Sequence, residues 1–94
     1  MKILNSQVKP WEDSELLEEV ESPSQLILYN DDYNTFDHVI ECLIAYCEHD
    51  VMQAEQCALI VHHTGKCSVK EGTTEELIPI CEALLNQGLS VLLT

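Results

Sequence analysis

The apolar residues between positions 25 and 93 alternate between short runs typical of strands and longer stretches with helical spacing. Turn residues separate these segments, so the chain is divided into short regular elements. Apolar residues that recur about every 3.6 positions predict three helices. Runs rich in strand formers predict three strands, at 25–29, 67–70 and 89–93. The order β-α-α-β-α-β predicts a small α/β sandwich, with three helices packed on a three-stranded, mostly antiparallel sheet.

The predicted helices carry recognisable signals at their ends. Asn34 can cap the first helix and Asp50 the second, because their side-chain oxygens accept from free backbone N–H groups. Thr73 and Glu76 form a capping box at the start of the third helix. Gly65 is placed to end the second helix in a left-handed conformation. These signals set helix boundaries independently of the apolar spacing.

The length and composition favour one compact domain. The chain has 94 residues, of which 46% are hydrophobic, enough for a core without disulfides or a structural metal. An acidic stretch precedes the helix-breaking sequence Ser22-Pro23-Ser24. We therefore predict a flexible acidic N-terminal extension, residues 1–23, and a folded domain, residues 24–94. Within the extension, the candidates for touching a partner are Trp11, Leu16 and Leu17.

The charge excludes several classes of partner. Four basic residues stand against 17 acidic ones, a formal net charge of −13. Such a surface repels phosphate backbones and anionic lipid, so we expect neither nucleic acid nor membrane binding. It suits a basic partner surface or a cationic ligand. No apolar run approaches the roughly 20 residues of a membrane span, and the chain becomes polar too soon for a signal peptide, so we expect a cytoplasmic protein.

The five cysteines do not form a recognisable site. Their number is odd and none lie in a C-x-x-C pair. Cys42, Cys57 and Cys81 fall at apolar positions, where cysteine acts as a small core residue. A zinc site can be imagined from Cys47, His49, His63 and Cys67, but their spacing matches no zinc motif. We therefore predict no metal and no cofactor.

Two groups of polar residues are unusual for a pure scaffold. Asn30-Asp31-Asp32 follows the first strand, where a turn and a helix cap are the ordinary interpretation. His62 lies four residues after Ala58, on the same side of the second helix. A histidine beside an apolar face is more often a hydrogen-bonded boundary residue than a ligand-binding one.

Taken together, the two groups predict a binding pocket. If the first two helices pack side by side, the carboxylates and Asn30 face His62 across a gap. An ammonium group offers three donors and no acceptor, and an amide oxygen, a carboxylate and a neutral imidazole supply three acceptors. A free N-terminal residue combines such an ammonium with a side chain. The predicted apolar floor consists of Phe36, Val39, Ala58 and Val61.

The same residues resemble the ClpS family of N-degron adaptors. The resemblance extends from about Gln25 to Thr94 and rests on Leu28-Tyr29-Asn30-Asp31-Asp32-Tyr33, Phe36…Val39 and Val61-His62-His63…Gly65-Lys66. It implies a monomeric adaptor, not an enzyme, that binds N-terminal Leu, Phe, Tyr or Trp of substrate proteins. It also implies delivery of these substrates to a ClpA- or ClpC-type AAA+ unfoldase of the ClpP protease, which would engage the N-terminal extension.

The resemblance further implies roles for individual residues. The α-amino group would be held by Asn30, His62 and an aspartate of Asp31-Asp32. Asn34 would hydrogen-bond the ligand's backbone, and Glu75 would face the unfoldase. The chain departs from the family pattern at Asn34-Thr35-Phe36, where Thr-Pro-Met is usual, and at Ala58, where Met is common. The implied side-chain pocket consists of Leu28, Phe36, Val39, Ala58, Val61 and Val91.

Other classes of function use some of the same residues. A hydrolase would combine His62 and an aspartate with Cys57 or Cys67, but no nucleophile elbow is visible. A thiol-rich metal or redox protein is a second alternative. Similar domains also occur inside ubiquitin ligases that read N-terminal residues, and this chain is too short to carry a ligase module.

Overall fold

The predicted order of elements is confirmed in the computed structural model, which describes residues 23–94. Apart from Pro23, the predicted N-terminal extension lies outside the described residues, as do Trp11, Leu16 and Leu17. The elements are β1 (Ser24–Tyr29), α1 (Phe36–Cys47), α2 (Val51–Thr64), β2 (Lys66–Gly72), α3 (Thr74–Asn86) and β3 (Ser90–Leu93).

The sheet has β1 at its centre, between β2 and β3. Both pairings are antiparallel, so the described sheet is wholly antiparallel. Leu28 pairs with Cys67 on β2 and with Val91 on β3. A register shift between Leu26 and Ile27 marks an irregularity in the β1–β2 pairing. Because β1 is central, the residues that follow it leave the sheet from its middle strand.

The core lies between the sheet and the helices. Leu26 and Leu28 of β1 are at most 1% exposed, and each helix adds apolar residues to the same cluster. Burying a leucine of this kind contributes about 1.5–3 kcal/mol relative to leaving it in water. Cys42 is buried, while Cys57 and Cys81 pack against the core from its border, as the apolar spacing predicts. None of the helices in the described part is long and apolar enough to cross a membrane.

The helix ends agree with prediction except at α1. Asp50 caps α2, Gly65 ends it at φ 98°, and Thr73 forms the capping box with Glu76. The N-cap of α1 is Thr35, whose hydroxyl accepts from the His38 N–H, so the prediction that Asn34 is the cap was wrong. The physical reason is that two hydrogen bonds donated by the Asn34 amide, to Asp31 and to the Gly88 carbonyl, fix the orientation of that side chain, and the Thr35 hydroxyl accepts the free N–H instead.

Candidate functional site

A cleft of about 390 Å³ opens between the residues that precede α1, the first turn of α1 and the last turns of α2. The structure brings together all the residues predicted to bind an N-terminal residue, apart from Leu28 and Val91. The lining residues are Asn30, Asp31, Asp32, Asn34, Phe36, Val39, Ala58, Val61 and His62. The two helices therefore pack so that the beginning of one lies beside the end of the other.

The remaining predicted residues lie elsewhere. Leu28 lines a recess of about 30 Å³ that shares several lining residues with the cleft. Val91 lies on β3, where it pairs with Leu28 of β1 and packs against the core. Glu75 is exposed in the first turn of α3 and does not line the cleft.

A backbone hydrogen bond joins the two sides of the cleft. The Asn30 N–H donates to the Gly65 carbonyl at 2.9 Å, and the Gly65 N–H donates to the Val61 carbonyl at 2.9 Å. Gly65 adopts φ 98°, a conformation that is costly for a residue with a Cβ. This glycine thus ends α2 one turn beyond Val61 and places His62 beside the turn that begins at Asn30.

The Asp31 carboxylate is fully used within the protein. Oδ1 accepts from the backbone N–H groups of Tyr33 and Asn34, both at 2.9 Å. Oδ2 accepts from Asn34 Nδ2 at 2.7 Å and from Ser90 Oγ at 2.9 Å. A carboxylate offers about four acceptor positions, so Asp31 has no free position for a ligand.

These contacts also keep Asp31 charged. Burial acts to raise the pKa of Asp31, but the donors from Asn34, Tyr33 and Ser90 outweigh it and lower the pKa below its usual 3.8. Asp31 is therefore an anion at neutral pH, and its charge strengthens each hydrogen bond that it accepts.

The groups at the mouth of the cleft are available to a ligand. Asn30, Asp32 and His62 are all exposed, and the Asp32 carboxylate accepts no hydrogen bond from residues 23–94. None of the lining residues is Lys or Arg, so no positive side chain in the wall competes for these acceptors. The rings of His62 and His63 form an edge-to-face pair, with centroids 5.1 Å apart. The mouth can therefore hold a cationic donor group.

The floor of the cleft is apolar. Ala58 and Val61 on α2 are 3% and 5% exposed, and Val39 on α1 packs against the core. Phe36 is 43% exposed, at the start of α1, and so stands at the rim. A ligand side chain that enters between them leaves water for an apolar surface, which is favourable by roughly 25 cal/mol per Å² buried.

Asn34 lines the cleft, and its side chain has one polar atom without a hydrogen bond to residues 23–94. Its Nδ2 donates to Asp31 Oδ2 at 2.7 Å and to the Gly88 carbonyl at 2.9 Å, which uses both amide hydrogens. These two bonds set the orientation of the amide and leave Oδ1 as an acceptor. In the predicted contact with a ligand backbone, Asn34 Oδ1 can therefore only accept a hydrogen bond, and the ligand must supply the N–H.

The geometry supports a hydrolase site or a metal site less well than it supports a binding cleft. Burial, together with the neighbouring Cys67, raises the pKa of Cys57 to about 12, so Cys57 is a protonated and weakly nucleophilic thiol at neutral pH. The buried His49 engages the Val69 carbonyl through Nε2 at 2.7 Å. Within residues 23–94, no three His, Cys, Asp or Glu side chains are grouped to hold a metal ion.

Three contributors to the site were missed at the sequence level. They are the Ser90 hydroxyl and the carbonyl oxygens of Gly65 and Gly88. Backbone carbonyls carry no residue-specific signal. Ser90 lies 59 residues from Asp31, and nothing in the local sequence links the two.

Comparison with known proteins shows consistent similarity to one family. The family model described as "ATP-dependent Clp protease adaptor protein ClpS" matches residues 19–92. Three relatives carry the name ATP-dependent Clp protease adapter protein ClpS. The one from Edwardsiella ictaluri is 34% identical over 84 residues, which cover 85% of this chain and 76% of that protein. The one from Thermosynechococcus vestitus is 35% identical over 68 residues, 71% of this chain and 72% of that protein.

The third relative, from Shewanella pealeana, is 44% identical over 50 residues. These residues cover 51% of this chain and 49% of that protein, so the match spans about half the length of each.

Proposed function

The chain belongs to the ClpS family of ATP-dependent Clp protease adaptor proteins, and from that premise we propose that it is an adaptor and not an enzyme. It binds the free N-terminal Leu, Phe, Tyr or Trp of substrate proteins. It then delivers these substrates to a ClpA- or ClpC-type AAA+ unfoldase of the ClpP protease. The adaptor acts as a cytoplasmic monomer, and residues 24–94 form its binding domain.

One observation carries the proposal: the cleft has acceptors at its mouth and an apolar floor. An N-terminal residue has the complementary shape, with an ammonium group next to a side chain. A buried ammonium is costly unless each N–H finds an acceptor, and charged acceptors give the strongest bonds. The same cleft offers little to an acetylated N-terminus, which lacks the charge and two of the donors.

The contacts suggest a division of roles among the polar residues. Asp32 is the carboxylate proposed to bind the ammonium, because Asp31 is saturated by Tyr33, Asn34 and Ser90. The Asn30 side chain and His62 supply the other two acceptors. Asn34 Oδ1 accepts the N–H of the second ligand residue. The ligand side chain then lies against Val39, Ala58 and Val61, with Phe36 at the rim and Leu28 behind, while the role of Val91 is to support Leu28.

The main test compares peptides that differ only at the first residue. Fluorescently labelled peptides beginning with Leu, Phe, Tyr, Trp or a small residue are titrated with the protein, each alongside its N-acetylated form. We expect the bulky free-amine peptides to bind and the acetylated forms to bind at least tenfold more weakly, because charge-assisted hydrogen bonds contribute about 1.5–3 kcal/mol each. Equal affinity for free and acetylated peptides would overturn the proposal.

Delivery is tested separately through Glu75. This side chain is exposed in the first turn of α3, outside the cleft. We expect Glu75→Lys to weaken binding to the unfoldase without changing peptide affinity. Glu82→Lys, also exposed on α3, is the matched control. If Glu75→Lys leaves unfoldase binding unchanged, the partner contacts another surface, and the peptide-binding part of the proposal stands.

A further inference from the structure

A set of polar groups ties the mouth of the cleft to the connection between α3 and β3. We call this set the polar bracket: the side chains of Asp31, Asn34 and Ser90 with the Gly88 carbonyl. Ser90 Oγ donates to Asp31 Oδ2 at 2.9 Å, and Asn34 Nδ2 bridges Asp31 Oδ2 and the Gly88 oxygen at 2.7 and 2.9 Å. Two segments far apart in the chain thus meet at a single carboxylate.

The bracket acts on the residues that flank Asp31. Asn30 and Asp32 are its immediate neighbours in the chain, and both are exposed with no hydrogen bond from their side chains to residues 23–94. What holds this segment in place is the Asn30 N–H bond to Gly65 on one side and the Asp31 carboxylate on the other. A change in the position of the Asp31 carboxylate therefore changes the direction in which its two neighbours point.

The donors to Asp31 are of two kinds. The backbone N–H groups of Tyr33 and Asn34 belong to the same turn, so they shape the turn locally and do not locate it in the molecule. Within residues 23–94, Ser90 Oγ links the carboxylate to the first residue of β3, and Asn34 Nδ2 links it to Gly88 in the α3–β3 connection. Among residues 23–94, these two side chains are what anchors the turn to the sheet through Asp31.

We infer that Ser90 and Asn34 are positioning residues for the N-terminal amine: through Asp31 they hold Asn30 and Asp32 at the spacing that an ammonium bound by His62 requires. This inference rests on the proposed function. Ser90 touches no ligand in this arrangement, since it does not line the cleft. Its effect reaches the ligand only through the carboxylate that it orients.

The first set of variants replaces Ser90 alone and keeps every lining residue of the cleft. Ser90→Ala removes the hydroxyl, and Ser90→Thr keeps it in a residue that strands accept well. Ser68→Ala is the matched control, an exposed serine on β2 rather than β3. Each variant is titrated with a Leu-initiated peptide in free and acetylated forms, and its thermal unfolding is recorded.

We expect Ser90→Ala to weaken binding of the free-amine peptide roughly three- to tenfold, the range for one lost hydrogen bond. Ser90→Thr should restore the affinity, and Ser68→Ala should leave it unchanged. In an Asp31→Ala background, Ser90→Ala should cause no additional loss, because the group through which it acts is absent. Every variant should remain folded at the temperature of the titration.

The outcomes separate this inference from the proposed function. If the parent binds the free-amine peptide and Ser90→Ala binds equally well, the inference is wrong and the function stands. If Ser90→Ala weakens binding as much in the Asp31→Ala background as in the parent, Ser90 acts by another route and the inference is again wrong. A parent that binds no free-amine peptide overturns the proposed function, and the inference falls with it.

Discussion

The backbone N–H of Asn30 donates to the carbonyl oxygen of Gly65 at 2.9 Å, so the residue that follows β1 is held against the residue that ends α2. The bond uses no side chain, so substitutions of lining residues outside the polar bracket leave it in place. Substitutions at Asp32, Phe36, Ala58 and His62 therefore report on the chemistry of the replaced side chain.

Replacing His62 should weaken peptide binding and change its pH dependence. A neutral imidazole accepts a hydrogen bond from the ammonium, whereas a protonated one has no acceptor and repels it. Acidification should therefore weaken binding of a free-amine peptide to the parent. His62→Ala should bind about tenfold more weakly at neutral pH and show a flatter response to acid, measured by fluorescence titration.

The neighbouring histidine provides the control for that measurement. His63 is exposed and touches the His62 ring, but it does not line the cleft. His63→Ala should keep the affinity and the pH dependence of the parent. A His62→Ala variant that matches the parent at every pH would show that His62 serves the structure only.

Asp32→Ala should reduce affinity without reducing stability. The Asp32 carboxylate is exposed and accepts no hydrogen bond from residues 23–94, so its removal costs the fold little. Loss of a charged partner for the ammonium should cost about 1.5–3 kcal/mol of binding free energy. The control is Asp37→Ala, an exposed acidic residue in the first turn of α1. Retained affinity in Asp32→Ala would mean that another group accepts from the amine.

Asp31 should make the fold sensitive to acid. Its pKa is lower in the folded protein than the usual 3.8, so its contribution to stability is complete above that value. The contribution is lost as the pH falls through the folded-state pKa, because the protonated acid gives up its charge-assisted bonds. Asp31→Asn should lower the Tm at neutral pH and flatten the fall of the Tm below about pH 4. Parallel curves for parent and variant would assign the acid sensitivity to other groups.

Phe36 should discriminate against ligands branched at Cβ. Its ring stands at the rim, 43% exposed, and has only two torsions with which to adjust. We expect the parent to bind N-terminal Leu roughly ten- to two-hundred-fold more tightly than Ile or Val. Phe36→Ala should narrow this ratio, whereas Ile44→Ala, on the same helix and outside the cleft, should not. An unchanged ratio in Phe36→Ala would place the discrimination elsewhere.

Ala58 should provide the room for large aromatic ligands. It is 3% exposed in the floor of the cleft, where a longer side chain would project into the cavity. Ala58→Met should lower the affinity for N-terminal Trp by about tenfold or more and that for Leu by less, since overpacking typically costs about 1–3 kcal/mol. Ala45→Met, exposed on α1, is the control. Equal losses for Trp and Leu would indicate a general distortion of the cleft.

The fold could be predicted because its signals are local. Apolar spacing, the caps Asp50 and Thr73, and Gly65 each act within one turn, and all are found as predicted. The prediction of the α1 cap was wrong because Asn34 and Thr35 are adjacent and the side chains of both can cap a helix. The choice between them depends on the Gly88 carbonyl, which is distant in sequence and engages Asn34. Thr35 is then left to accept the His38 N–H.

The same distinction applies to the site. Its composition could be predicted, because helix packing brings Phe36 and Val39 beside Ala58 and Val61. The sequence does not predict that Asp31 is saturated with hydrogen bonds while Asp32 has none, since both are carboxylates in one turn. The contact with Ser90, made through the tertiary fold, fills the last acceptor position of Asp31, whereas Asp32 is exposed and accepts no hydrogen bond from residues 23–94.

The backbone bond at Gly65 also bears on how such a cleft changes over generations. Phe36 and Ala58 shape the cavity, yet neither takes part in the bond between Asn30 and Gly65 or in the polar bracket. Substitutions at these two positions therefore leave the contacts of Asn30 and Asp31 in place. Under the proposed function, selection can shift the set of N-terminal residues that the adaptor binds one substitution at a time, while the requirement for a free amine is inherited intact.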